Sequence, residues 1–272
     1  MSRIRRFTCA QRGFHAVLIV AVVTQAGTGL ARLYRQSGWG QALARGLGGA
    51  ERVLAVHKLA GLVMVALLIA HGVYVLLRID WSRGTDALRG PDSLVPRRSD
   101  LREAAQHVRW MLGRGLAPRF DRWTYWERFD YWAAVWGLCV MGGTGLILYD
   151  SVLSTRIVPG WGLNVALWVH RIEATLAMAH LFIIHFFVSH LRRRSFPMDL
   201  AMFEGSVALA DAREDRPAWI ERLERDGELR GRLVQASPPA LRAAYYVFGA
   251  CALSAGLLLL GVASVQLWRL AS

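Results

Sequence analysis

The sequence predicts an all-α integral membrane protein, in which a four-helix transmembrane bundle is followed by a fifth transmembrane helix. Hydrophobic residues fill 54% of the 272 positions and the mean hydropathy is +0.28, which is high for a soluble domain. Five apolar stretches approach the length of about 20 residues that a helix needs to cross a bilayer. We place these spans at Gly13–Leu33, Val53–Leu77, Tyr131–Tyr149, Val165–Leu191 and Ala243–Trp268.

The distribution of arginine predicts the topology of these spans. The formal net charge is +13, which in a soluble protein would suggest binding to nucleic acid. Here the arginines precede the first span, fill the connection between spans two and three, and follow span four, so the positive-inside rule explains them and no nucleic acid partner is expected. The rule places the N-terminus, residues 79–130 and residues 201–242 in the cytoplasm, and the C-terminus outside. The membrane is expected to be the bacterial inner membrane, and its lipid is the first partner.

The spans also define the expected domains. Residues 1–200 are predicted to form the four-helix bundle with its cytoplasmic 79–130 loop, 201–242 a cytoplasmic connection, and 243–272 the fifth helix. The basic and then apolar N-terminus is similar to a signal peptide, but its long apolar run carries His15 and Gln25, which favours a retained helix.

Seven of the eight histidines lie in or at the ends of predicted spans. Ionisable groups are costly inside a membrane, so such a set indicates function. His57 and His71 are separated by about 21 Å of helix, and His170 and His185 by about 22 Å, each pair on much the same helix face. Because spans two and four run in the same direction, His57 and His170 share an outer level, and His71 and His185 an inner one.

Two histidine pairs at two depths predict two b-type haems. Imidazoles on both faces of the macrocycle give a six-coordinate iron suited to electron transfer. Gly61, one turn after His57, is expected to leave room for the haem face. The three cysteines form no CxxC pair, which argues against attached c-type haem and iron–sulfur clusters.

Two alternatives follow from the same histidines. His15 lies at the cytoplasmic end of span one and competes with His71 as the partner of His185. If both His15 and His71 bind iron, one of them would pair with His190 and a third haem would exist. A histidine-lined proton or metal transporter without haem is the alternative function, and it predicts a colourless protein.

Four segments within about residues 5–200 resemble the di-haem b-type cytochrome subunits of membrane-bound formate dehydrogenases, nickel–iron hydrogenases and related quinone-linked complexes. They are RFTCAQRGFH followed by TGL, VHKLAGLVMVALLIAHGVY, YWERFDYWAAVWGLCVMGGTGLIL and VHRIEATLAMAHLFIIHFFVSHLRRRSFPMD. The resemblance implies that the outer haem is held by His57 and His170 and the inner haem by His15 and His185. The sequence departs from the simplest members of the family in having His71 and a fifth span.

The resemblance further implies a quinone site beside the inner haem, near the start of the third helix. Glu127 and Arg128 lie there and are candidates for proton uptake and quinone binding, although interfacial anchoring explains them equally well. His190, just past the inner level, is a candidate for quinone contact, haem propionate contact or a solvated helix end.

The function that follows is that of an electron-transfer subunit of a respiratory oxidoreductase complex. It would carry electrons across the membrane between the quinone/quinol pool and an extracytoplasmic redox partner. That partner would be the iron–sulfur subunit of a molybdenum or nickel–iron enzyme, or a multihaem c-type cytochrome. No residue pattern in the chain suits the oxidation of formate or hydrogen, so that step is expected to belong to the partner.

Overall fold

Five long apolar helices dominate the computed structural model, which describes residues 2–84, 88–192 and 195–271. Among these residues, the five are the helices long and apolar enough to cross a membrane. In chain order the described elements include β1 (Arg3–Arg5), α1 (Cys9–Leu33), α2 (Gly38–Gly46), α3 (Ala50–Arg78), a 3₁₀ helix (Trp81–Arg83), α4 (Arg98–Met111), α5 (Tyr125–Tyr149), α6 (Ser151–Ser154), α7 (Gly160–Leu191), α8 (Ala201–Glu204), β2 (Ser206–Ala208), α9 (Leu209–Asp215), α10 (Pro217–Arg225), α11 (Leu229–Arg232), β3 (Leu233–Val234) and α12 (Pro239–Ala271). The predicted fold class is therefore confirmed: α1, α3, α5, α7 and α12 correspond to the five predicted spans.

Each long helix begins a few residues before the apolar stretch from which it was predicted, because polar residues can form the first turn of a helix. The start of α5 shows how. The backbone N–H of Thr124 donates to Glu127 Oε2 at 3.0 Å, and the backbone N–H of Glu127 donates to Thr124 Oγ1 at 3.3 Å. This reciprocal pair is a capping box, which satisfies two of the backbone donors left open at a helix N-terminus.

The long helices expose large apolar side chains over much of their surface. Leu77 is 79% exposed, Leu258 68% and Trp136 66%. Apolar surface on this scale is unfavourable in water and is typical of helices that face lipid. The chain is a multi-pass membrane protein.

One compact unit, here named the sheet unit, comprises residues 1–12, 72–134 and 200–242. It contains a three-stranded antiparallel sheet in the order β2-β1-β3, in which Ile4 pairs with Val207 on one side and Leu233 on the other. Ile4, Trp219 and Leu223 are fully buried in its core. Residues 201–242, which the sequence suggested only as a connection, thus fold together with the N-terminal strand.

The other compact unit, here named the histidine unit, comprises residues 13–71, 135–199 and 243–272. Glycines set the spacing of its helices. A Cβ on Gly142 of α5 would lie 3.1 Å from Val65 of α3, and one on Gly256 of α12 would lie 2.7 Å from Phe186 and 2.9 Å from Phe182 of α7. These helices therefore pack at a distance that larger side chains would prevent.

The second half of α7 is not an α-helix. From His180 to His185 and from Phe187 to Leu191 the backbone adopts the wider π-helical turn. Such turns are rare and often mark functional sites, because they change which side chains share a helix face. Here the change falls on the stretch that carries His185 and His190.

Candidate functional site

His57 of α3 and His170 of α7 face each other within the histidine unit. Their ring centres are 6.3 Å apart and their ring planes are at 75°. Metal–imidazole bonds are about 2 Å long, so two rings that bind one iron from opposite sides have centres about 6 Å apart. The two residues predicted to share the outer level are thus brought together with a spacing that fits a bis-histidine haem.

A threonine hydroxyl fixes the tautomer of each ring in this pair. Oγ1 of Thr28 lies 2.9 Å from Nδ1 of His57, and Oγ1 of Thr144 lies 2.9 Å from Nδ1 of His170. Each hydroxyl donates its one hydrogen to a backbone carbonyl four residues earlier, at 2.7 Å in both helices. The hydroxyl oxygen must then accept the hydrogen of Nδ1–H, which leaves the lone pair of Nε2 for a metal. This is the usual arrangement around a metal-binding histidine.

The residue after each threonine is a glycine that lies against the same ring. A Cβ on Gly29 would be 3.6 Å from Cε1 of His57, and one on Gly145 would be 3.4 Å from Cε1 of His170. The Thr-Gly-Leu sequence, which occurs in α1 and again in α5, therefore gives both histidines the same surroundings. The two threonines were not predicted as site residues, although the repeated tripeptide was a signal that could have identified them.

Gly61 faces the side chain of Gln25. The Gln25 amide nitrogen donates to the backbone carbonyl of His57 at 3.0 Å, and a Cβ on Gly61 would lie 3.0 Å from that nitrogen. The Gln25 Oε1 is buried and has no hydrogen-bond partner among the described residues. An unsatisfied buried atom beside this histidine pair fits a site that holds a further group. Contact between Gly61 and the haem face stays a prediction.

His185 and His190 of α7 form the second cluster, together with His15 of α1. The rings of His185 and His190 are 6.3 Å apart, because the π-helical turn brings residues five apart towards one face. A macrocycle does not fit between two residues about one turn apart on the same helix, so the second ligand for His185 must come from another helix. His15 lies close enough to both for their charges to act on it.

His71 is the other candidate ligand for the inner level. Its ring packs edge-on against the ring of Phe14, with centres 5.3 Å apart.

The Nδ1 of His190 is buried and has no hydrogen-bond partner in the part of the chain that the structure describes. The second cluster therefore also has the donor set and the unsatisfied polar atom that a bound group would use.

The other two quinone candidates, Glu127 and Arg128, take part in ion pairs within the sheet unit. Arg6 and Arg216 both bind Oε1 of Glu127, at 2.6 and 2.9 Å. Arg128 is 3% exposed and binds Asp100 at 2.7 Å. These contacts give both residues a structural role, and their contact with quinone stays a prediction.

One family model matches most of the chain. The family model described as prokaryotic cytochrome b561 matches residues 6–205, which include every histidine discussed above. None of the curated proteins compared with the chain matches it. Family membership favours haem over the haem-free transporter considered above. The chain belongs to the prokaryotic cytochrome b561 family, the di-haem cytochrome b family of hydrogenases and formate dehydrogenases that its sequence resembles, and is a membrane b-type haem cytochrome that acts in electron transfer.

Proposed function

We propose that the protein is the membrane-embedded subunit of a respiratory complex and carries electrons between the quinone/quinol pool and an extracytoplasmic redox partner through two bis-histidine b haems. Bound haem supplies the one-electron redox chemistry. The chain supplies the ligands, their tautomers and the surrounding charges. The single observation that carries the proposal is the pair of facing rings, His57 and His170, each with Nδ1 held by a threonine.

Around the outer haem, Arg32 adds a positive charge. It lies close enough to His57 and His170 for its charge to act on both rings. A cation beside a haem favours the reduced iron and can pair with a haem propionate. We therefore assign the outer haem to His57 and His170, with Arg32 as the group that raises its midpoint potential.

For the inner haem, the proximity of His15 to His185 supports these two residues as ligands. His71 is the alternative, and the two assignments differ in a simple result. If His15 is the ligand, His15→Ala removes the inner haem and His71→Ala leaves it in place. A third haem held by His190 is not needed to account for either cluster.

For the quinone, His190 is the best supported of the three candidates. Its Nδ1 has no hydrogen-bond partner among the described residues, whereas Glu127 and Arg128 are already paired. An imidazole can donate to a quinone carbonyl or accept the proton of a quinol hydroxyl, so it suits either direction of electron flow. We propose that His190 contacts the quinone beside the inner haem.

The outer face would pass electrons to a separate redox protein, either the iron–sulfur subunit of a molybdenum or nickel–iron enzyme or a multihaem c-type cytochrome. The proposed location is the bacterial inner membrane, with the N-terminus in the cytoplasm. The concentration of arginine in residues 79–130 supports this orientation.

Reduction of the purified cytochrome by a short-chain quinol tests the proposal. Wild-type protein in detergent should be reduced at both haems when the quinol is added. The His190→Ala variant should keep the haem spectrum, because His190 is not a proposed ligand, and should be reduced at least ten times more slowly. A haem-containing wild-type protein that no quinol reduces, and no quinone reoxidises, would contradict the link to the quinone pool.

A further inference from the structure

The amphipathic helix α4 packs against the rest of the sheet unit through one row of polar side chains. Asp100 binds Arg128 at 2.7 Å and is largely buried. Nδ1 of His107 lies 3.1 Å from the hydroxyl of Tyr125, and Oε2 of Glu103 is buried. In a water-soluble protein the apolar side of a surface helix faces the core, whereas in α4 the residues that face the rest of the sheet unit are Asp100, Glu103 and His107.

The apolar side of α4 points away from the protein. Leu101, Ala105, Val108 and Leu112 recur at intervals of four, three and four residues, which places them in one stripe along a helix. Leu101 is 77% exposed, Val108 49% and Leu112 67%, and Ala105 is also exposed. No other part of the described chain covers this stripe.

A row of arginines borders the apolar stripe on one flank. Arg98, Arg102 and Arg109 are all exposed, and a helical wheel places them within about 40° of one another, beside the stripe. None of the three has an ion-pair partner among residues 2–84, 88–192 and 195–271. Three cations beside exposed leucine and valine are the pattern of a helix that lies in the interface of an anionic membrane.

We propose that α4 lies in the plane of the bilayer, with the stripe Leu101, Ala105, Val108 and Leu112 in the acyl-chain boundary and Arg98, Arg102 and Arg109 bound to anionic lipid headgroups. Two features select lipid as the occupant. The arginine row complements anionic headgroups, and the chain leads from α4 into a membrane-spanning helix in both directions, through residues 79–97 and 112–124.

Spin-label accessibility of the haem-loaded protein in nanodiscs tests this placement. Cys9, Cys139 and Cys251 are the only cysteines and are first replaced by serine. A nitroxide is then attached at Ala105→Cys, on the stripe, or at Gln106→Cys, about 100° around the helix. The label at 105 should be several-fold more accessible to oxygen than to a water-soluble nickel complex, and the label at 106 should show the reverse preference.

The outcomes at position 105 separate lipid from the other environments. A label equally open to the nickel complex at both positions would mean that the stripe faces water and would overturn the proposal. A label at 105 shielded from oxygen and nickel alike would mean that a protein or a second copy covers the stripe, which would also overturn it.

The lipid charge is tested by the same label in neutral nanodiscs and in nanodiscs that contain phosphatidylglycerol. The label at 105 should move deeper in the anionic discs, and the variant with Arg98, Arg102 and Arg109 all changed to glutamine should lose that shift. Its haem spectrum should remain that of the unchanged protein, which shows that the variant is folded. If the three arginines are present and the label at 105 lies at the same depth in neutral and anionic nanodiscs, binding to anionic headgroups is contradicted.

Discussion

At the scale of single residues, the properties of the outer histidines depend on two hydroxyl groups. Thr28 and Thr144 each donate to their own helix backbone and accept from a histidine Nδ1–H. A hydrogen bond of this kind makes the imidazole more basic, and a more basic ligand stabilises ferric iron. The two threonines should therefore lower the midpoint potential of the outer haem.

Replacement of either threonine by valine removes the hydroxyl and keeps the shape. We expect Thr28→Val and Thr144→Val each to raise the potential of the outer haem by up to about 40 mV, which corresponds to about 1 kcal/mol for one hydrogen bond and one electron. A redox titration monitored at the haem absorption band measures the shift.

Thr175→Val is the matched control. Its hydroxyl makes the same kind of backbone bond, 2.9 Å to the carbonyl of Arg171, on the exposed surface of α7. Thr175→Val should leave the midpoint potentials of the outer and inner haems unchanged. Equal potentials for all three variants and the unchanged protein would show that the threonines do not tune the histidines.

The role of Glu127 was only partly predictable from the sequence. Its position at the start of the third span suggested a quinone contact. Thr124 and Glu127, however, also form the T-x-x-E pattern of a capping box, and the structure contains that box. The cap was predictable from the sequence. The pairing of Glu127 with Arg6 and Arg216 was not, because these residues are far apart in the chain and only the fold brings them together.

At the scale of elements, the approach of α12 to the π-helical part of α7 depends on Gly256. A side chain at this position would overlap the rings of Phe182 and Phe186. Phe186 is also in ring contact with His185 and His190, with centres 6.4 and 6.2 Å apart. Packing at Gly256 is therefore connected directly to the inner histidine cluster.

Gly256→Leu should destabilise the protein and disturb the inner haem selectively. Overpacking costs about 1–3 kcal/mol, so the thermal midpoint should fall, and the inner-haem spectrum should broaden while that of the outer haem stays the same. Gly261→Leu on the same helix is the control, because a Cβ there meets nothing within 4 Å. If both variants behave alike, close packing at Gly256 is not what holds the inner cluster.

The loops and helices of the sheet unit are joined by a charged network around Asp92. Arg122 and Arg222 bind its carboxylate at 3.0 and 2.7 Å. Burial acts to raise the pKa of Asp92, but the charges of Arg122, Arg222 and Arg232 and the hydrogen bond from Arg222 outweigh it and hold the pKa below the ordinary value of 3.8. Asp92 therefore stabilises the folded state when ionised.

The sign of the pH dependence follows from this lowered pKa. The unfolded chain takes up the proton first, so the contribution of Asp92 is fully present well above pH 3.8 and is lost as the pH falls through the lower folded pKa. Asp92→Asn should reduce the thermal midpoint at pH 6, and the difference from the unchanged protein should shrink below pH 4. Asp226→Asn, which removes only an exposed contact of 3.5 Å, should have little effect at either pH. A constant difference from pH 6 to pH 3 would exclude ionised Asp92 as the source.

The elements differ in how far the sequence predicted them. The five spans follow from hydropathy because each depends only on its own residues and the bilayer thickness. The sheet was not predicted, because β1 has three residues and its partner strands lie about two hundred residues away. The π-helical turn in α7 was also missed, although it changes which side of the helix His190 occupies.

At the scale of the whole molecule, the topology predicted from arginine is open to a direct test. Alkaline phosphatase fused after Ser272 should be active, because the predicted topology places this end outside. The same reporter fused after Ser237, before the fifth span, should be inactive, because this end should lie in the cytoplasm. The reverse pattern would invert the whole assignment of outer and inner haems.

Haem content tests the central claim of two ligand pairs most directly. The measurement is the number of b haems per chain, determined as the pyridine haemochrome of the purified protein against its protein concentration. We predict two haems in the unchanged protein and one in His57→Ala, where the outer pair is broken and the inner cluster is intact. A colourless protein, any count other than two, or a His57→Ala variant that keeps both haems would contradict it.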